Sequence, residues 1–207
     1  MATIDVAQLL ISLALGMSLA ASCGFRVFVP LFVTSAASLA GMLQLSDGFG
    51  WLATWPALIS TGIATVCEIL AYYIPAFDNF LDSVSVPSAA VAGTVLTASM
   101  ITTDMSPLLK WGLAMVAGGG TATAVSTATA SLRAASTTTT AGLANHGVAT
   151  AELGASAGLS VLSIVLPVLA IIVTILAIIG SVVIIRKFAG TVRAIREKRA
   201  ARRAAKA

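Results

Sequence analysis

Long apolar runs separated by short polar breaks dominate the chain. Six runs cover residues 6–23, 27–43, 56–74, 87–101, 107–132 and 153–185. A helix needs about 20 apolar residues to cross a bilayer, so the pattern predicts an all-α, polytopic transmembrane helix bundle of about six helices. At about 1.5 Å per residue, the run 27–43 is slightly short of a full crossing. The alternative is therefore five spans plus re-entrant segments.

The breaks between the runs predict the connections. Gly24-Phe25-Arg26 stands shortly before Pro30, and proline is tolerated in a first helical turn, so residues 24–29 are predicted to form a tight hairpin turn. Residues 43–56 are predicted to form a loop, and residues 102–107 a turn. Pro167 lies inside the last run and is expected to kink it.

Two further segments are polar but less easily assigned. Residues 76–84 carry Asp78 and Asp82 four positions apart, on one helical face, which predicts a short interfacial helix. Residues 133–154 are polar and contain four consecutive threonines. They are expected to form either an external loop or a broken, re-entrant segment, since non-helical backbone is tolerated at membrane depth only against protein or a water-filled cavity.

Composition supports a membrane protein and a particular kind of packing. Hydrophobic residues make up 58% of the 207-residue chain and charged residues only 10%, against about 25% charged in soluble domains. The chain is therefore predicted to be an integral membrane protein. Gly16, Ala20 and Gly24 recur every four positions, as do Gly154 and Gly158. Such spacing favours close helix–helix contact through small side chains.

Charge is distributed unevenly along the chain. Residues 186–207 hold nine basic residues and one acidic residue, whereas residues 1–185 hold three basic and seven acidic residues. We therefore divide the chain into one transmembrane domain, 1–185, and a basic tail, 186–207, with the C-terminus cytoplasmic. Membrane lipids are the expected partners of the tail. It has no aromatic interleaving or folded module, so nucleic acid is not expected.

Six crossings with the C-terminus inside put the N-terminus inside as well. Loop 44–55 and turn 102–106 then lie on the cytoplasmic side. The three tryptophans, at positions 51, 55 and 111, fall at one interface beside Lys110. The other face then receives Arg26, Tyr72, Tyr73, Asp78, Asp82, Arg133, His146 and Glu152.

Glu68 is the most informative polar residue, because it lies within the third apolar run. A charge inside a span costs about 2.5–3.5 kcal/mol on insertion scales, so it needs a partner or a cavity. Arg26 is the nearest candidate at the same end of the bundle, and the two are predicted to form an intramembrane polar site. In the alternative, Arg26 snorkels to the interface and Glu68 is simply hydrogen-bonded within the bundle.

Five further residues are secondary candidates for a polar site. Arg133 and Glu152 bracket the threonine-rich segment much as Arg26 and Glu68 bracket residues 27–43, which suggests an internal repeat of the kind found in transporters. His146 is the single histidine and is expected to be either a surface residue or a group that handles protons. Asp78 and Asp82 complete this set.

The sequence offers no recognisable catalytic constellation. It has no HExxH motif, no nucleophile elbow and no Gly-Lys-Ser/Thr phosphate loop. The two cysteines, Cys23 and Cys67, lack metal-ligand spacing. We therefore expect no enzyme activity, no catalytic residues, no metal and no cofactor.

Several stretches resemble a known family. These are ISLALGMSLAASCGFRVFVPL (11–31), WPALI (55–59) and EILAYYIPAFDNFLD (68–82), together with VAGTVL and AGGG. They resemble the bacterial membrane-protein family called domain of unknown function 4126. The resemblance covers nearly the whole chain and implies a small multi-helix protein of the bacterial plasma (inner) membrane. It implies no particular activity.

Two functions remain open on this basis. The first is a small transporter, channel or lipid-handling protein with a polar intramembrane site around Glu68. The second is a structural or accessory subunit, or an assembly scaffold, without transport activity. The repeated small residues favour the second, through a homo-oligomer or a membrane-complex partner.

Overall fold

The structure is a computed structural model that describes residues 5–140 and 144–204, without the side chains of residues 75–80, 82, 139, 192 and 194–204. Within those ranges the fold is all-α, as predicted. The helices are α1 (Val6–Phe25), α2 (Phe28–Leu39), α3 (Trp55–Ala71), α4 (Pro75–Met100), α5 (Pro107–Leu113), α6 (Gly120–Thr140), α7 (Asn145–Val165) and α8 (Pro167–Ala204).

The predicted hairpin between the first two runs is confirmed. Asp5 caps α1, since its side chain accepts from the N–H groups of Ala7 and Gln8. The helix ends at Phe25, and Arg26 has extended backbone with φ −145° and ψ 130°. Because α2 starts at Phe28, only Arg26 and Val27 separate the two helices.

The prediction of a separate interfacial helix at 76–84 is wrong. Those residues belong to α4, which continues without a break through Pro87 to Met100. A proline inside a helix lacks one N–H donor and crowds the preceding turn, but neighbouring turns keep their hydrogen bonds. The polar segment is therefore the first part of a long helix.

The prediction of an external loop at 133–154 is also wrong for its described part, which is helical, while the alternative of a broken, re-entrant segment stays a prediction. α5 passes through a π-helical stretch, Ala114–Gly119, into α6, which extends to Thr140. Hydroxyls in this segment bond to the preceding turn, as Thr140 Oγ1 does to Ser136 O at 2.8 Å. The hydroxyls of Thr138 and Thr140 are thus satisfied within their own helix, and α7 begins at Asn145.

The last apolar run, predicted as one span, is divided into two helices. Leu166 leaves helical geometry with φ −136° and ψ 69°, directly before Pro167. Four segments are long and apolar enough to cross a membrane, namely Val6–Phe25, Ser83–Met100, Asn145–Val165 and Pro167–Thr191. The chain is a membrane protein. The prediction that both termini lie on one side of the membrane required a single crossing at 153–185. Because α7 and α8 are each long enough to cross, that placement of the N-terminus no longer follows.

α1 is the central helix and packs against α4, α6, α7 and α8. Small residues permit this close approach. A Cβ on Gly24 would lie 2.5 Å from Val125 Cβ and 2.9 Å from the Ala122 carbonyl oxygen. Likewise, a Cβ on Gly16 would lie 2.8 Å from Thr97 Cα. The predicted small-residue face of α1 is therefore a packing surface.

The predicted pair Gly154 and Gly158 does not pack in this way. A Cβ on either residue would meet no described atom within 4 Å, apart from its own helix backbone and chain neighbours. Both glycines are exposed on α7. Their spacing thus contributes nothing to the contacts that hold the described bundle together.

Replacing Gly24 with Ala tests the close contact of α1 with α6. We expect the added methyl group to destabilise the protein by about 1–3 kcal/mol, because a well-packed core resists extra volume. The measurement is the thermal unfolding midpoint in mild detergent. Gly154→Ala is the matched control: its methyl group enters open space and should leave stability unchanged or raise it by helix propensity. Equal midpoints for the two variants would contradict the packing.

Candidate functional site

Arg26 lies in the break between α1 and α2 and points into the bundle. It is only 2% exposed. Its Nη2 donates to the carbonyl oxygen of Ala149 on α7 at 2.9 Å and lies 3.6 Å from Glu152 Oε2. Arg26 is therefore buried against α7, and it does not extend to the bundle surface as the snorkelling alternative requires.

Arg133 and Glu152 form a second, closer ion pair in the same place. Arg133 Nε donates to both carboxylate oxygens of Glu152, at 3.1 and 3.2 Å, and Nη2 also donates to Oε2. Both residues are buried. The pair joins α6 to α7, and its carboxylate is shared with Arg26. Glu152 is thus the common anion of two guanidinium groups.

Tyr72 completes this arrangement with its aromatic ring. The guanidinium carbon of Arg26 lies 3.6 Å from the ring centroid, and that of Arg133 lies 4.2 Å from it. Such cation–π contacts are stronger where water is excluded, and Tyr72 is buried. Sequence reasoning missed this role. The one indication of this role in the sequence is that Tyr72 follows Glu68 by four positions, which places both residues on one face of a helix.

Glu68 holds the start of α2. Its two carboxylate oxygens accept from the backbone N–H groups of Val27 and Phe28, at 2.8 and 3.0 Å. The first N–H groups of a helix have no intrahelical partner, and a negative charge there is favoured by the helix dipole. Arg26 and Glu68 therefore do not form the direct ion pair that the sequence predicted. Among the described residues, the ion-pair partner of Arg26 is Glu152.

The five residues Arg26, Glu68, Tyr72, Arg133 and Glu152 are called the charge cluster below. They come from α1, α3, α6 and α7 or their ends, and their two positive and two negative charges balance. Two atoms of Arg26, Nε and Nη1, are buried without a hydrogen-bond partner in the described part of the chain. Leaving buried donors unpaired is costly, by about 1–3 kcal/mol each.

A small polar void lies inside the cluster. Its volume is about 10 Å³, and its walls include Glu68, Tyr72, Arg133 and Glu152. A void of this size accommodates a single water molecule, and polar walls are where such a molecule is stable. The cluster is therefore closed to larger molecules in this conformation.

A larger, apolar groove runs outside the cluster along α4, facing α3 at one end and α2 at the other. One cavity of about 340 Å³ is bounded by the start of α2, by α3 around Glu68 and by α4 around Ser85. A second, of about 530 Å³, shares Val27, Phe28 and Ser88 with the first and reaches Trp51 and Val95. We call these two cavities the α3–α4 groove. Glu68, Tyr72 and Ser85 line both the groove and the inner void.

The remaining sequence candidates lie elsewhere. His146 is exposed, with its ring centroid 5.7 Å from that of Tyr73. The side chains of Asp78 and Asp82 fall outside the described residues. Cys67 is exposed and lines the groove, whereas Cys23 is buried. No group of three or more potential metal ligands occurs among the described residues.

Comparison with known proteins gives one match. A family model described as "Domain of unknown function (DUF4126)" matches residues 13–187. The chain belongs to this family. The match includes every residue of the charge cluster and confirms the resemblance seen in the sequence motifs. No curated protein and no solved structure matches this DUF4126 protein.

Glu152→Gln tests the shared carboxylate of the cluster. The substitution leaves one uncompensated buried positive charge, and breaking a buried pair from one side costs about 3–5 kcal/mol. We expect a clear fall in the thermal unfolding midpoint in mild detergent.

A double variant gives the control for that experiment. Arg133→Gln with Glu152→Gln restores charge balance and should recover part of the lost stability, whereas Asp104→Asn, which changes an exposed acid, should have little effect. A double variant as unstable as the sum of its two single variants would contradict the coupling.

Proposed function

We propose that this DUF4126 protein is a non-enzymatic lipid-handling or transport protein of the bacterial inner membrane. In this proposal, the charge cluster is its polar binding site. The α3–α4 groove is the path by which an amphiphilic ligand reaches that site from the bilayer. The observation that carries the proposal is that Glu68, Tyr72 and Ser85 line both the groove and the void inside the cluster.

The groove suits the apolar part of such a ligand. Its walls are largely aliphatic and aromatic side chains, and hydrocarbon is the solvent that surrounds a membrane bundle. Ligand pockets are commonly apolar with a few polar groups that fix orientation. In the groove, Glu68 and Ser85 are such groups.

The cluster suits the polar part. Each carboxylate oxygen of Glu68 uses one acceptor position for α2, and a carboxylate offers about four in all. It therefore retains acceptor capacity for a hydroxyl or ammonium group. Arg26 retains two donors, Nε and Nη1, behind the ring of Tyr72. In the proposal, a ligand reaches these donors only when the Tyr72 ring, which lies against Arg26 and lines the groove, moves aside.

The proposed orientation follows from charge. The basic residues 186–207 follow the apolar part of α8, and positive charge flanking a span is retained in the cytoplasm. We propose a multi-pass protein with its C-terminus cytoplasmic. Residues 1–185 remain the predicted membrane domain and 186–207 the predicted tail.

Glu68→Gln and Ser88→Phe test the two parts of the proposal separately. We expect native mass spectrometry of gently extracted protein to find a bound amphiphile on the unsubstituted chain. Glu68→Gln should reduce occupancy about tenfold by removing a charge-assisted hydrogen bond, and Ser88→Phe should reduce it by filling the groove.

The control variant is Ile59→Ala, on the exposed side of α3 and outside the groove lining, which should bind normally. Full occupancy in both test variants, with unfolding midpoints unchanged, would overturn the proposal.

Cysteine labelling tests access to the groove. Cys67 lines the groove and is exposed, whereas Cys23 is 1% exposed. We expect N-ethylmaleimide to modify Cys67 in the folded protein and to reach Cys23 only after denaturation, as measured by intact mass. Cys67→Ser identifies the modified site. Protection of both thiols in the folded state would mean that the groove is closed.

One observation favours the alternative, an accessory subunit or assembly scaffold. Gly154 and Gly158 are exposed on α7 with open space above them, and small residues at this spacing allow a second helix to approach closely. In this alternative the protein works through a homo-oligomer or a membrane-complex partner. Stoichiometric partner subunits in the same native mass spectra, without a bound amphiphile, would favour it.

A further inference from the structure

A third cavity lies at the opposite end of the α3–α4 groove from the charge cluster. Its volume is about 630 Å³, and its walls include Asp47, Phe49, Trp51, Asp104, Lys110 and Trp111. We call it the Lys110 pocket. It shares Trp51 and Val95 with the groove. Neighbouring cavities with shared walls therefore extend from a charged, aromatic pocket along an apolar groove to Glu68.

Lys110 is held in a fixed position in this pocket. The loop residue Ser46 is attached to the end of α4, since its N–H donates to Ser99 O at 2.8 Å and its Oγ to Ala98 O at 3.1 Å. Lys110 Nζ donates to Ser46 Oγ at 2.6 Å and lies 5.3 Å from the Phe49 ring centroid.

The ammonium group of Lys110 is only partly used by these contacts. An ammonium has three donors, and no second hydrogen bond or ion pair of Lys110 occurs in the described ranges. The pocket thus contains a positioned cation with two available donors. An oxyanion is the ligand group that such a cation binds most strongly.

The other walls are suited to a positive group. Asp47 and Asp104 supply two carboxylates, and Trp51, which is 53% exposed, supplies an open aromatic face. Aromatic faces attract ammonium groups. Tryptophan is also typical of the membrane–water interface, the depth at which lipid headgroups lie. The pocket therefore combines groups suited to both charges of a zwitterion with a tryptophan typical of the membrane interface.

We infer that the Lys110 pocket binds the headgroup of a zwitterionic phospholipid. The phosphate contacts Lys110 Nζ, the ammonium lies among Asp47, Asp104 and Trp51, and one acyl chain lies in the α3–α4 groove. This inference names the ligand class of the proposed function and rests on it: the Lys110 pocket holds the headgroup at the entrance of the groove, and the charge cluster is a second position that the headgroup reaches only after leaving the pocket. A lipid with a purely anionic headgroup is disfavoured, because its phosphate meets two carboxylates without an ammonium to compensate them.

The test compares two lipids with identical acyl chains, palmitoyl-oleoyl-phosphatidylethanolamine and palmitoyl-oleoyl-phosphatidylglycerol. Each is titrated into delipidated full-length protein in mild detergent, and occupancy is read by native mass spectrometry. We expect tighter binding of the ethanolamine lipid. Lys110→Gln should weaken it about tenfold by removing the positive charge. Lys110→Arg should retain most of the affinity.

Lys187→Gln is the control for charge alone, since Lys187 is exposed on α8, and it should bind as the unsubstituted chain does. Asp47→Asn with Asp104→Asn should reverse the preference toward the glycerol lipid. Unchanged ethanolamine-lipid affinity in Lys110→Gln, or a preference of the unsubstituted chain for the glycerol lipid, overturns the headgroup assignment and leaves the proposed function standing. Binding of neither lipid, nor of any co-purified amphiphile, overturns both.

Discussion

The constraint on which the fold depends is the burial of ionised groups within an apolar bundle. Glu152 receives two guanidinium groups, from Arg26 and Arg133, and the ring of Tyr72 lies against both. Charges removed from water need partners with good geometry, or the fold loses more than it gains. Helices α1, α3, α6 and α7 are therefore joined at one end by a contact that tolerates little displacement.

Small residues hold the helices together along the rest of the bundle. Gly16, Gly24 and Gly93 lie so close to neighbouring helices that a methyl group would collide with them. This packing keeps α1, α4 and α6 closely associated. α3 lies outside that core, and the groove is the space that separates α4 from α3 and α2. Small-residue packing thus closes the space between α1, α4 and α6, whereas the groove beside α4 stays open. Glu68 lies between the groove and the charge cluster.

The three cavities share walls in sequence, from the Lys110 pocket through the groove to the charge cluster. Polar groups lie at both ends and apolar ones between. The apolar middle accommodates the hydrocarbon part of an amphiphile, whereas it would be a barrier to a small ion. It is the reason that lipid handling is preferred here over a simple ion channel.

The sequence by itself determined the membrane class, the all-α fold, the hairpin at Arg26 and the small-residue face of α1, because hydropathy and residue size act locally. It also selected Glu68, Arg26, Arg133 and Glu152 by their rarity in apolar runs. Only the tertiary structure decided which groups pair. Glu68 accepts hydrogen bonds from the N–H groups at the start of α2, and Arg26 pairs with Glu152, which is 126 positions away in sequence. Partner choice among buried charges depends on which helices become neighbours, and hydropathy carries no information on that. The same reason explains why Tyr72 and the Lys110 pocket emerged only when distant helices were brought together.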